Sequence, residues 1–311
     1  MRVTSNSFPT ALQYQLESLA TKQARLQSQA ATGQRFRSPS EDPRATRKVL
    51  ELQQETRRLT QYNENIDLSN EKLNSIYGAV QALKKVSDRA GELAAMVDDM
   101  KSKDQLAAYR QEINQLIEQS VQIANTNNQF GYVFAGTRSN AEAYEISRNE
   151  VGEISGVIYK GTTDTVGIEI AKGSSLSVQM PGSNTSESGV QGLFETREGS
   201  FFQHLIELRD KLDGGTREDV AYIRETVAKN LMKDESNVIY HISRVGALEA
   251  RLETAKTMGS RRIAAANEFV SKEVDADLAK TLVQLNEIQT AYMAALKSGA
   301  TIMNQSLLDY V

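Results

Sequence analysis

His204 and His241 are the only histidines, the side chains whose charge changes most readily near neutral pH. His204 sits in Phe-Phe-Gln-His-Leu-Ile and His241 in Ile-Tyr-His-Ile. Neither has a second histidine four residues on, as a helical metal site needs, nor a serine and acid pattern of a catalytic triad. Both read as helix-face histidines. Glu273, Asp275 and Asp277 place carboxylates at alternate positions, a composition for a hard cation. The central glycine of an EF-hand loop is missing, so solvated helix charges or contacts to a basic partner fit better. Gly131-Tyr132-Val133-Phe134-Ala135-Gly136 is bounded by glycines but lacks the Lys-Ser/Thr of a phosphate loop and the third glycine of a dinucleotide fingerprint. It reads as a tight turn from helix into sheet. The absence of cysteine removes disulfides, zinc-thiolate sites and thiol nucleophiles. No catalytic site is left, and no cofactor or metal is called for.

Arg35, Arg37, Arg44, Arg47 and Lys48 form a basic cluster. No aromatics are interleaved to stack on bases, so docking on acidic neighbour subunits is the preferred reading over nucleic acid. The whole chain carries 36 basic and 40 acidic residues, which gives no global attraction to nucleic acid or an anionic membrane. No stretch approaches the roughly 20 apolar residues of a membrane span. The first thirty residues hold no continuous apolar run of a cleavable signal, and composition alone points to the cytoplasm.

The elements that position these groups are helices. Only four prolines occur, Pro9, Pro39, Pro43 and Pro181, so long stretches are open to unbroken helix. There is no tryptophan and aromatics are 6%, little for a large mixed core but enough for thin bundles. Leu12, Leu16, Leu19, Gln23, Leu26, Ala30 and Gly33 alternate spacings of four and three, a heptad seam that stops at Thr32-Gly33. Asp42 is placed as N-cap and Pro43 as first residue of a second helix. Leu52, Leu59, Ile66, Leu73 and Val80 repeat along it every seven residues, and Ile76, Leu83, Ala90 and Val97 take over. Residues 98–103 read as a turn. A third helix carries Leu106, Tyr109, Ile113, Leu116, Ser120 and Ile123 on one stripe.

From Asn127 to about Gly192 the chain is rich in Gly, Ser and Thr. Residues 156–159, 166–170 and 176–180 are the strand candidates, with turns at 160–164 and 172–175, and 181–188 reads as a surface loop. A short helix from Phe201 ends at Asp213-Gly214-Gly215. A long one runs from about Arg217 to Met258, with Gly259 only denting it. The last stretch continues a heptad: Leu278, Leu282, Leu285, Gln289, Tyr292, Leu296, Gly299 and Met303. The fold class is mainly α, a long antiparallel helix bundle or coiled-coil rod with a small inserted antiparallel β domain.

Several stretches carry a resemblance. Ala31-Thr32-Gly33-Gln34-Arg35-Phe36-Arg37-Ser38-Pro39-Ser40-Glu41-Asp42-Pro43 resembles the segment after the first helix in the flagellin superfamily. Its Ser-Pro-Ser-Glu-Asp-Pro form is closer to the hook–filament junction members than to flagellin itself. Asn127 to Arg138 is similar to the junction members' Gln-Phe-x-Gly turn, with the residue between Phe130 and Gly131 missing. Residues 243–253 resemble the returning helix, 274–279 the acidic start of the last helix, and Ser306-Leu307-Leu308-Asp309-Tyr310-Val311 the junction members' ending.

The resemblance spans nearly the whole chain in the right order. It implies a terminal coiled-coil domain of residues 1–37 with 271–311, a helical rod domain of 43–130 with 200–270, and an outer β domain of 131–199. It also implies export through the flagellar type III apparatus without a cleaved signal, which overrides the cytoplasmic reading and makes the protein extracellular. Its implied partners are further copies of itself in a ring, hook-associated protein 1, flagellin, and an export chaperone gripping the C-terminal helix. The expected function is a structural adaptor between hook and filament. A flagellin, or a cytoplasmic coiled-coil scaffold, are the alternatives.

Exposed seams on both terminal helices favour assembly. The expected assembly interface is Leu12, Leu16, Leu19, Gln23, Leu26, Arg35 and Arg37 with Leu282, Leu285, Gln289, Tyr292, Leu296, Met303 and Leu307. If those helices run antiparallel with ends level, residue i faces residue 312 − i. Gln23 then meets Gln289, Leu16 meets Leu296, and Ala30 meets Leu282.

Overall fold

A computed structural model describes residues 7–98 and 101–308. Helix α1 is Ser7–Thr32 and ends on Gly33, whose φ of 71° suits a left-handed stop. Helix α2 is Pro43–Met96, with the Asp42 carboxylate accepting from the Ala45 N–H at 3.0 Å, as its cap role predicts. Helix α3 is Lys103–Ala124, opened by a capping box between Ser102 and Gln105. After the β region, helix α4 covers Phe201–Gly214 and closes on left-handed Gly215. Helix α5, Arg217–Tyr222, passes through a π-helical turn at Ile223–Val227 into α6, Ala228–Val274. Helix α7 is Leu278–Leu308.

The long returning helix runs beyond its expected end at Met258, because nothing stops it at Gly259. A Cβ there would come 2.5 Å from Asn63 Oδ1, so a close helix approach uses the missing side chain.

The β region is four separate antiparallel hairpins: β1 Asn127–Asn128 with β2 Gly131–Tyr132, β3 Tyr144–Arg148 with β4 Ile154–Tyr159, β5 Ile168–Ala171 with β6 Ser174–Leu176, and β7 Glu195–Thr196 with β8 Gly199–Ser200. Two expected strands are found as β4 and β5, but they do not pair with each other. The third is cut short, since residues 177–180 leave the ladder. Strand β3 was missed: only Tyr144 on it is buried, so it lacks an alternating apolar signal. The Asn125 side chain extends its pairing, donating to Tyr144 O and accepting from Tyr144 N, both at 2.8 Å.

The expected surface loop at 181–188 is corrected in its first half. Pro181 to Asn184 are buried. Asn184 Nδ2 donates to Ser188 O and Val190 O, and its Oδ1 accepts from Ser186. Gly182 lies against the Tyr144 ring. The rings of Phe134, Tyr144, Phe194 and Phe202 meet with centroids 5.1–5.5 Å apart.

By contacts the chain divides into two compact units, Met1–Leu59 with Arg261–Val311, and Thr60–Ser260. The main core, from Ile66 to Leu252, lies wholly in the second unit and takes in β-region residues as well as helices.

Both histidines lie on helices of that unit and both are buried. His204 Nδ1 is 2.6 Å from Asp234 Oδ2, thirty residues on in sequence, a pairing that no local motif announces. Burial raises the Asp234 carboxyl above the usual range, against the pull of that hydrogen bond. His241 Nε2 lies 3.3 Å from Gly192 O, and burial lowers its pKa to about 4, so it is neutral at pH 7.

Candidate assembly interface

Within the first unit, α1 and α7 pack antiparallel. Two observations set their register. At the closed end, Gln34 bridges Asp275; Arg35 N donates to Val274 O at 2.6 Å, and Ala276 N to Gly33 O at 2.7 Å. Farther along, Gly299 lies under Leu12, where an added Cβ would sit 2.4 Å from Leu12 Cδ2. Paired numbers therefore sum to 309 at the bridge and 311 at Leu12 and Gly299, beside the expected 312.

On α1, every seam position from Leu12 to Gly33, namely Leu12, Leu16, Leu19, Gln23, Leu26, Ala30 and Gly33, is half-buried while most others are exposed. On α7 the covered face is Thr281, Leu285, Ile288, Gln289, Tyr292, Ala295 and Gly299. Leu278, Leu282 and Leu296, expected on that seam, are instead 47%, 51% and 45% exposed. The expected heptad thus splits into two stripes. One faces α1; the other, Leu278, Leu282, Met293 and Leu296, lies beside it, uncovered. Thr281, Ile288 and Ala295 were missed because Thr and Ala carry a weak apolar signal, and a heptad read at 3.5 residues per turn drifts on a straight helix. Gln23 and Gln289 are both half-buried, yet among the described residues no hydrogen bond joins them. Met303 and Leu307 fall on α7, but their side chains lie outside the described residues, as does the closing 309–311.

The basic and acidic clusters meet at the closed end. Arg35 Nη2 reaches Asp42 Oδ2 at 3.1 Å and Glu273 Oε2 at 3.4 Å, and its guanidinium lies over the Phe36 ring. Gln29 Nε2 donates to Arg35 O at 2.6 Å. Arg35 is thereby committed within its own chain, where the sequence placed it against a neighbour. Asp275 accepts from Ser271 Oγ. Asp277 caps α7, accepting from Lys280 N at 3.0 Å. The three carboxylates have separate structural tasks, and the described residues contain no group of three or more His, Cys, Asp or Glu arranged to hold a metal. Arg37, Arg44, Arg47 and Lys48 are exposed, with no ion pair among the described residues.

Known proteins resemble this chain in sequence and in fold. Residues 3–138 match the family described as the bacterial flagellin N-terminal helical region. The flagellar hook-associated protein 3 of Escherichia coli K12 is 22% identical over 97% of this chain and 98% of its own. Solved structures with a similar fold include a flagellar hook-associated protein from Vibrio parahaemolyticus, at TM-score 0.63 and 15% identity, covering 76% of this chain and 100% of that one. FlgL of Bacillus cereus follows at 0.55 and 20% over 71% and 99%, and the flagellar junction protein FlgL of Legionella pneumophila at 0.57 and 13% over 73% and 100%. Among the described residues, no helix is long and apolar enough to cross a membrane.

Proposed function

We propose that the chain is a structural adaptor of the bacterial flagellum that joins hook to filament. The observation that carries this reading is the likeness to hook-associated protein 3 along nearly the full length of both chains. The physical support is the uncovered stripe on α7. Tyr14 on α1 and Val283 on α7 are also exposed, at 69% and 58%. Each large apolar side chain contributes on the order of 1.5–3 kcal/mol when fully covered, so a neighbour that covers several drives association.

In this reading residues 1–37 and 271–311 form the assembly domain, 43–130 with 200–270 the helical domain, and 131–199 an outer domain. The chain is exported without a cleaved signal and ends outside the cell. Further copies, hook-associated protein 1, flagellin and an export chaperone on α7 are the partners. Immunogold labelling of isolated hook–filament structures tests the reading. Gold confined to the junction is expected. Gold along the whole filament would make the chain a flagellin, and no gold on the structure would reject both.

A further inference from the structure

The two units differ in charge. Residues 1–59 and 261–311 hold 15 basic against 11 acidic side chains, whereas residues 60–260 hold 21 against 29. The basic excess of the first unit has a visible centre. In the first turns of α2, Ala45 and Val49 point into the unit at 5% and 8% exposure. Arg44, Arg47 and Lys48, at helical spacings of three and four, share a side turned away from them. Arg37, in the preceding loop, adds a fourth exposed cation. Of the two nearest acids in sequence, Asp42 caps α2 and pairs with Arg35, and Glu41 is occupied with the backbone N–H groups of Arg37 and Ser38, both at 3.3 Å. Glu51 and Glu55 follow on the same side of α2, yet no ion pair among the described residues joins them to this group. Arg35, in contrast, is fully engaged. Of five clustered cations, one is ion-paired and four have no ion pair among the described residues.

We infer that Arg37, Arg44, Arg47 and Lys48 form a docking strip for the acidic 60–260 unit of a second copy of this chain. This deepens the adaptor reading and rests on it, since it needs copies held side by side. A second copy is the fitting occupant because the complementary charge is carried by the same sequence. A strip built from long exposed side chains contributes modestly per pair, so it orients neighbours while apolar contacts supply strength.

The test is zero-length cross-linking. Full-length chain is mixed as equal parts unlabelled and heavy-isotope protein, concentrated, and treated with a carbodiimide. The reagent activates a carboxyl, the Lys48 amine attacks it, and an amide forms while the carbodiimide leaves as a urea. Mixed-isotope peptide pairs joining Lys48 to Asp or Glu of residues 60–260 are expected. They should fall about tenfold as salt rises from roughly 0.05 to 0.5 M, where the screening length drops below the span of the contact. In Arg44→Glu/Arg47→Glu, with Lys48 kept as the reporter, the same pairs should be lost while the circular dichroism stays unchanged, because both sites are exposed. Absence of mixed pairs from Lys48, mixed pairs only to the first unit, or pairs that survive the double reversal overturn the inference. Gold labelling separates the two readings. Junction labelling without mixed pairs sinks the docking strip alone, and mixed pairs without junction labelling sink the adaptor reading alone.

Discussion

At the scale of single residues, buried His241 makes the fold sensitive to acid. Burial holds its pKa near 4, against about 6.5 in an unfolded chain; its bond to Gly192 O pulls upward and the nearby Arg244 charge pulls down. The unfolded state binds the proton first as pH falls. The stability this neutral ring provides is complete above pH 6.5 and drains away between 6.5 and 4, by about 3 kcal/mol. His241→Gln should remove that slope; urea unfolding at several pH values for both proteins checks it, and equal slopes would refute it. Arg35 makes the opposite case. Its partners are 37% and 44% exposed, so Arg35→Ala should cost less than about 1 kcal/mol in thermal unfolding. What locks the closed end is the backbone bonding of Arg35 and Ala276, which the substitution leaves intact.

At the scale of elements, helix starts and stops were legible because they are chemically local. Asp42-Pro43, Gly33 and Gly214-Gly215 each act on their own turn. Long-range pairings were not. Nothing near His204 names Asp234, and nothing near Pro181 says that the next residues pack beneath Tyr144. The α7 heptad was half legible: Leu285, Gln289, Tyr292 and Gly299 of it lie on the covered face, while a glycine whose role is close approach looks the same in sequence as one that merely weakens a helix. Two variants separate those roles. Gly299→Val should push against Leu12 and destabilise the α1–α7 pair by about 1–3 kcal/mol, read as faster proteolysis of α1. Gly246→Ala, where an added Cβ meets nothing within 4 Å, should stabilise α6 by up to about 1 kcal/mol. If both changes act alike in a thermal melt, the close-approach argument fails.

At the scale of the whole molecule, folding and assembly are written into different parts of the chain. The main core is complete between Ile66 and Leu252, so it owes nothing to the last helix. Ending the chain after Leu285 should therefore leave a cooperative melt of residues 60–260 and abolish joining of filament to hook. A truncated chain that still restores motility to a strain lacking the full protein would show that the terminal pair is not the assembly domain. The fold class was readable from heptads and the scarcity of proline, whereas the partition into units was not, because α2 and α6 each pass from one unit to the other without a break in helical pattern.

The bridge between Gln34 and Asp275 also has a consequence in time. The strand-like clasp and the helix beside it bring together segments far apart in sequence, so α1 cannot find its partner until α7 has been made. At the usual synthesis rates of about 5–20 residues per second, α1 waits on the order of 15–50 s with its leucine seam open. The core between Ile66 and Leu252 can close earlier. A nascent or interrupted chain is thus folded in its middle but sticky at its head, and only a chain made through α7 covers the face of α1 that meets it. Synthesis of α7 and closure of the α1 seam become the same event.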